Sequence, residues 1–182
     1  MQPLHKVPLV LAALAFALAA IAEIATGRSR LPQDDDAIEW TRRAALVTVD
    51  DALRRGDTTT ALRAWQQAYE AARMTRGWRP LVEVADVRMR IGETTDVVAA
   101  SPRARQAYFA ALSRARAERS VDGVVRVAEG FARLGDRDVT EHVLRIAASL
   151  ATRSHDSAAS TRVETARGRL LARPSSLSTA TF

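Results

Sequence analysis

The 182-residue chain contains no cysteine, which excludes disulfides, thiolate metal sites and cysteine nucleophiles. Three scattered histidines argue against an imidazole metal cluster, and no metal or cofactor is expected. Aromatic residues reach 5% and glycine numbers eight, too few for the aromatic strands and Gly/Pro turns of a sandwich or barrel. Lysine occurs once, at Lys6, so 26 of the 27 basic side chains are arginine, set against 21 acids for a net charge of +6. No glycine-rich phosphate loop of the form Gly-x-x-x-x-Gly-Lys is present. Alanine is what the chain has in excess, with 36 residues, and it favours helix over every other element. The composition therefore points to an all-α protein of one domain plus an appendage.

The appendage is N-terminal. Residues 7–22 read VPLVLAALAFALAAIA, sixteen positions without a charge, preceded by Lys6 and followed by Glu23. A basic start, an apolar stretch and the small-x-small triplet Ala20-Ile21-Ala22 make a secretory signal. Counted on to Ala25, the same stretch has nineteen residues, about enough to span a ~30 Å hydrocarbon core as an uncleaved anchor. A buried core helix is the third reading. Residues 1–25 are thus a signal peptide or transmembrane anchor, and the body is expected to be membrane-anchored or exported. Lys6 on one side and Arg28 and Arg30 on the other nearly balance the charge rule for orientation. The short N-terminal tail favours the extracytoplasmic face for the body.

Residues 26–36, with Gly27, Pro32 and three aspartates, read as a linker, and Asp36 with Glu39 forms a capping-box pattern at the start of the body. Residues 37–151 carry helical periodicity. Leu62, Trp65, Tyr69 and Ala72 recur at three and four, as do Ala104, Tyr108, Ala111, Leu112 and Ala115, and then Val139, Val143, Ile146, Ala147 and Leu150. Gly56, Gly77, Gly92 and Gly135 each follow such a stretch, as a helix-ending glycine does. Pro80 and Pro102 suit first helical turns, with Ser101 as the cap of the latter. Residues 152–182 form a basic tail, partly disordered, in which Val163, Ala166 and Leu170 allow a short helix interrupted by Gly168.

The body repeats itself. Asp50-x-x-x-Arg54-x-Gly56-Asp57 recurs as Asp86-x-x-x-Arg90-x-Gly92-Glu93 and as Glu129-x-x-x-Arg133-x-Gly135-Asp136. Ala45-Leu46, Leu81-Val82 and Val124-Val125 precede the three copies. An acid four residues ahead of an arginine predicts an ion pair along one helix, and the acid after each glycine predicts a cap for the next. Repeats of this size predict stacked helical hairpins sharing one core.

At these residues the sequence resembles the tetratricopeptide-repeat family. Gly56-Asp57, Ala61, Trp65 and Ala68 match its turn glycine and the small, large and small packing residues of its second helix. Gly135-Asp136, Thr140, Leu144 and Ala147 match again, and Ala128 and Phe131 fall where its first helix places a small residue and an aromatic. The resemblance covers about residues 41–150. Its glycines stand 36 and 43 residues apart, against a family period of about 34, and Ser101-Pro102 falls where the second helix of the middle unit expects a bulky residue. That second helix is expected to be short and then restarted. The resemblance implies a concave groove lined by the first helix of each unit. Its candidate residues are Leu46, Asp50, Arg54, Val82, Asp86, Arg90, Val125, Glu129 and Arg133.

Function follows from these parts as an expectation. His142 is a helix histidine, His155-Asp156 has no nucleophile placed beside it, and Asp34, Asp35 and Asp36 lack the alternation of an oxygen cage. No enzyme is expected. The chain reads as a protein–protein interaction scaffold, an assembly factor or an accessory subunit of a membrane-associated complex, touching the membrane through residues 7–25. The alternative is binding of nucleic acid or an anionic membrane surface through arginine-rich faces. Nucleic acid is the weaker of the two, because the arginines alternate with acids at helical spacing. On the helix after Pro102, Arg103 and Arg114 flank one side of the apolar stripe and Arg105 and Arg116 the other, as snorkelling edge residues do.

Overall fold

In a computed structural model, residues 32–95 and 100–172 are described. They form seven helices and, among the described residues, no strand: α1 (Pro32–Arg54), α2 (Thr58–Met74), α3 (Arg79–Thr95), α4 (Ala100–Ala117), α5 (Val121–Arg133), α6 (Arg137–Ser154) and α7 (Ser157–Leu171). The fold is all-α. Residues 1–36 and 37–182 are separate units, and the packing below is that of the second. The hydrophobic segment 7–25 lies outside the described residues. Among the described residues no helix is long and apolar enough to cross a membrane.

Local chemistry accounts for most helix ends. Gly56, Gly77 and Gly135 hold φ of 71°, 84° and 77°, the left-handed turn that lets a chain leave a helix cheaply. The Asp57 carboxylate accepts from the Thr60 N–H at 2.9 Å, and hydrogen bonding to Thr60, through its side chain first and then its backbone, holds the Asp57 pKa below the usual carboxylate range. Ser120 and Asp156 cap α5 and α7 in the same way.

Four local expectations are corrected. Gly92 does not end a helix: α3 runs through it to Thr95, because Val84, Val87 and Ile91 bury one continuous face. The middle unit's second helix therefore begins afresh at Ala100, and Ser101 lies within its first turn rather than ahead of it. The helix at the body's start begins at Pro32, where a proline's missing N–H costs nothing, so Asp34 and Asp35 favour its N-terminal dipole from within. Finally, α7 continues through Gly168 and buries Ala159, Val163 and Ala166, which makes it part of the core.

The core runs through every helix of the body. Successive helices from α2 to α7 pack in turn, and α3 also touches α5, as α5 touches α7. Alanine is the commonest buried residue, and it allows close approach of the axes around a few large side chains, Trp65, Tyr69, Trp78, Tyr108 and Phe131. Trp65 stacks on Tyr69 at 5.3 Å and donates its indole N–H to the Val84 carbonyl at 2.7 Å, which ties α2 to α3. Two interior glycines on α5 bring α4 in closest. A Cβ at Gly123 would lie 2.7 Å from the Trp78 ring and 2.9 Å from Ala115 Cβ. One at Gly130 would lie 2.5 Å from Tyr108 Cζ. Neither glycine is punctuation; each makes room for a neighbouring side chain.

Candidate functional site

The three acid-to-arginine pairs expected along single helices do not form. Each acid is taken instead by an arginine of a different helix. Asp50 on α1 accepts from Arg90 on α3 at 2.6 Å. Asp86 on α3 is bridged by both Arg126 and Arg133 on α5. Glu129 on α5 pairs with Arg169 on α7, and Asp122 accepts from Arg162 of α7 at 3.2 Å. Four of these links, Asp50–Arg90, Asp86–Arg126, Asp122–Arg162 and Glu129–Arg169, have the same separation of 40 residues, and Arg42–Glu83 has 41. They join α1, α3, α5 and α7 into a row.

Asp86 is the hub of this row. Beyond its two arginines it accepts the Tyr108 hydroxyl at 2.5 Å, and that oxygen in turn accepts from Arg133 at 2.9 Å. Burial, first, and the neighbouring carboxylate push the Tyr108 phenol above its ordinary value of 10.0. At the other end of the row, Arg42 grips Glu39 at 2.6 Å and reaches Glu83, holding Glu39 below the usual carboxylate range.

Five of the nine residues expected in the groove meet in a cleft of ≈ 450 Å³ across α1, α3 and α5: Leu46, Asp50, Asp86, Arg90 and Arg133. Glu83, Val87, Met89 and Glu93 complete it. The other four lie elsewhere. Val82 is buried in the core, since α3 turns it inward with Leu81 and Ala85. Arg54 is exposed and pairs with Asp51, Val125 packs half-buried against the core, and Glu129 faces Arg126 and Arg169. Most charge in the cleft is spent on neighbouring helices, so its first role is to hold them together.

A larger groove, ≈ 1270 Å³, lies between α4 and α6 and was not anticipated. Both helices pack on α5 more than on each other, so their outer faces part. Leu112 and Leu150 are buried along it and Ile146 is half-buried, while Phe109 is 46% exposed at its side and touches the buried Phe131 ring at 4.8 Å. Arg116, Arg119, Arg145 and Arg153 line it with His142, all exposed, and no carboxylate does. Among the described residues none of the four arginines makes an ion pair; Arg153 donates to Ser149 at 2.7 Å. Glu118, beside Arg119 in the chain, places its carboxylate 3.8 Å from where a Cβ on Gly77 would stand, and Glu141, one turn ahead of Arg145 on α6, does not line the groove.

Two other arginines of α4 are occupied, while Arg103 is exposed and makes no ion pair among the described residues. Arg105 pairs with Asp136, and Arg114 donates to the carbonyls of Ala72, Arg73, Thr75 and Gly77 at 2.5–3.1 Å, closing the C-terminal end of α2. The available signal was the asymmetry: α4 carries Arg116 and no acid, and only Glu118 stands between its end and Arg119.

Among the described residues no group of three or more acids or histidines stands close enough to hold a metal ion. Compared with known proteins, the chain matches no family model, and no curated protein resembles it at a significant level.

Proposed function

We propose that this chain is a helical-repeat scaffold that binds another protein at a membrane, as an assembly factor or accessory subunit of a membrane-associated complex. Its body is a short stack of tetratricopeptide-like hairpins, α1–α2, α3–α4 and α5–α6, closed by α7. The observation that carries this reading is the recurrence of cross-helix acid–arginine links at 40-residue separation. A link that recurs at one separation marks a structural unit used repeatedly, with a period near 40 residues rather than the family's 34. Such stacks expose long interhelical surfaces, and recognition of partners is what those surfaces serve. The hydrophobic segment 7–25 supplies the membrane address, and the partner is then itself membrane-associated.

A second reading, nucleic-acid or anionic-lipid binding, is favoured by one observation, the unpaired arginines between α4 and α6. Affinity purification of the full-length chain from native membranes in mild detergent separates the two, with the N-terminus of the mature chain sequenced. The scaffold reading expects a stoichiometric protein partner that survives moderate salt and nuclease. Recovery of the chain alone, or with nuclease-sensitive material only, overturns it.

A further inference from the structure

We infer that the groove between α4 and α6 is a docking site for an acidic amphipathic helix of a partner protein. This inference rests on the scaffold reading and names the chemistry of its partner. The first argument is charge. Arg116 and Arg119 on one wall and Arg145 and Arg153 on the other make no ion pair with any described residue, whereas Arg42, Arg90, Arg126, Arg133, Arg162 and Arg169 of the α1–α3–α5–α7 row each find a carboxylate, and Arg79 and Arg88 of α3 lie over the Trp78 and Trp65 rings. Four like charges along one groove repel one another, and a ligand carrying carboxylates relieves that repulsion.

The second argument is the floor. Ile146, half-buried, lies between the arginine walls with Leu112 and Leu150, which the core already buries, and the half-exposed Phe109 ring stands beside them as the main apolar surface. Double-stranded nucleic acid offers this apolar strip nothing to bury, and single strands bind by stacking on several aromatic rings where this groove has one. A helix with leucine-type residues at i, i+3, i+4 and i+7 and acids on both flanks satisfies floor and walls together. Length agrees. The lining residues on α6 run from His142 to Ser154, so they cover about 18 Å at about 1.5 Å per residue, or three helical turns.

The third argument is backbone strain at the groove. Arg119 sits at φ 53°, a left-handed position occupied by glycine at the ends of α1 and α5. An arginine there is strained relative to glycine, and it places one more cation on the wall. His155, next to the lining Ser154, holds the same φ.

The test uses the full-length chain in mild detergent and a fluorescein-labelled helical peptide of sixteen residues, with leucines on one face and glutamates on both flanks. Anisotropy titrations compare three proteins: wild type, R116E with R145E, and R63E with R76E. The last pair lies outside the groove and changes the net charge equally. Binding to wild type is expected, weakened about tenfold or more by the groove reversal and less than about twofold by the control reversal. A peptide with glutamine in place of every glutamate is expected to bind about tenfold more weakly. Equal loss in both double variants, equal binding of the glutamine peptide, no peptide binding, or displacement of the peptide by a single-stranded or duplex oligonucleotide overturns the inference. Loss of this inference leaves the scaffold reading standing if membrane purification still yields a protein partner, whereas purification of the chain alone removes both.

Discussion

Gly130 on α5 faces the ring of Tyr108 on α4 so closely that a single added methyl would stand 2.5 Å from Cζ. Tyr108 is fully buried, its hydroxyl is fixed on Asp86, and its ring meets Phe131 at 5.7 Å, so it has nowhere to retreat. Alanine at an interior helical position ordinarily stabilises by about 1 kcal/mol over glycine. Here Gly130→Ala is expected to destabilise instead, by a net 1–2 kcal/mol or about that, because overpacking outweighs propensity. Thermal or urea unfolding of the variant checks the sign.

Asp86 collects Arg126, Arg133 and Tyr108 from two helices, with its side chain about one-quarter exposed. Asp86→Asn keeps the shape and removes the charge, leaving two guanidinium groups facing each other. Loss of about 2 kcal/mol is expected, discounted from a fully buried site because solvent reaches Asp86 and both arginines. By contrast, Arg54→Ala, which breaks an exposed pair with Asp51, is expected to change stability by less than about 0.5 kcal/mol.

The same cluster sets a pH dependence. The Tyr108 phenol titrates above its ordinary value of 10.0 in the folded chain, so the unfolded chain releases that proton first. Stability is then flat in this group below pH 10 and falls as pH rises beyond it. Tyr108→Phe is expected to lower stability at neutral pH and to flatten the alkaline slope, as read from unfolding at pH 8 to 11. At the acid end the sign reverses. Glu39, held down by its bond to Arg42, contributes stability above its ordinary 4.5 that is lost as pH falls through its lower folded value.

Arg119→Gly is expected to raise stability by about 1 kcal/mol, because glycine adopts φ near 53° without strain. If the arginine is kept for binding, the same change weakens the acidic peptide. Gain of stability with loss of binding separates a strained functional residue from an ordinary helix end.

How much of this was legible in the chain depends on the distance over which each feature acts. The stripes of α2, α4 and α6, the turn glycines 56, 77 and 135 and the Asp57 cap are encoded within one or two helical turns, and they read directly. The partners of Asp50, Asp86 and Glu129 are not local. A suitable arginine stands four residues on in each case, and only the packing of odd-numbered helices shows that the arginine about 40 residues on takes the acid. Gly92 looked like Gly56 and Gly135 in sequence, yet the buried face of α3 overrides it. Gly123 and Gly130 carry no turn signal, since their role is set by a ring on another helix. The basic groove went unread because Arg116 is distinguished from Arg105 and Arg114 only by what the latter two touch.

The most direct test of the central claim is photocrosslinking in native membranes, with benzoylphenylalanine placed at Ser113 in the α4–α6 groove, at Glu93 in the α1–α3–α5 cleft, and at the exposed Arg63 outside both. A protein-binding scaffold predicts discrete protein adducts from Ser113 or Glu93 and none from Arg63. Irradiation that gives no protein adduct from either face, or adducts that vanish with nuclease, would contradict the account.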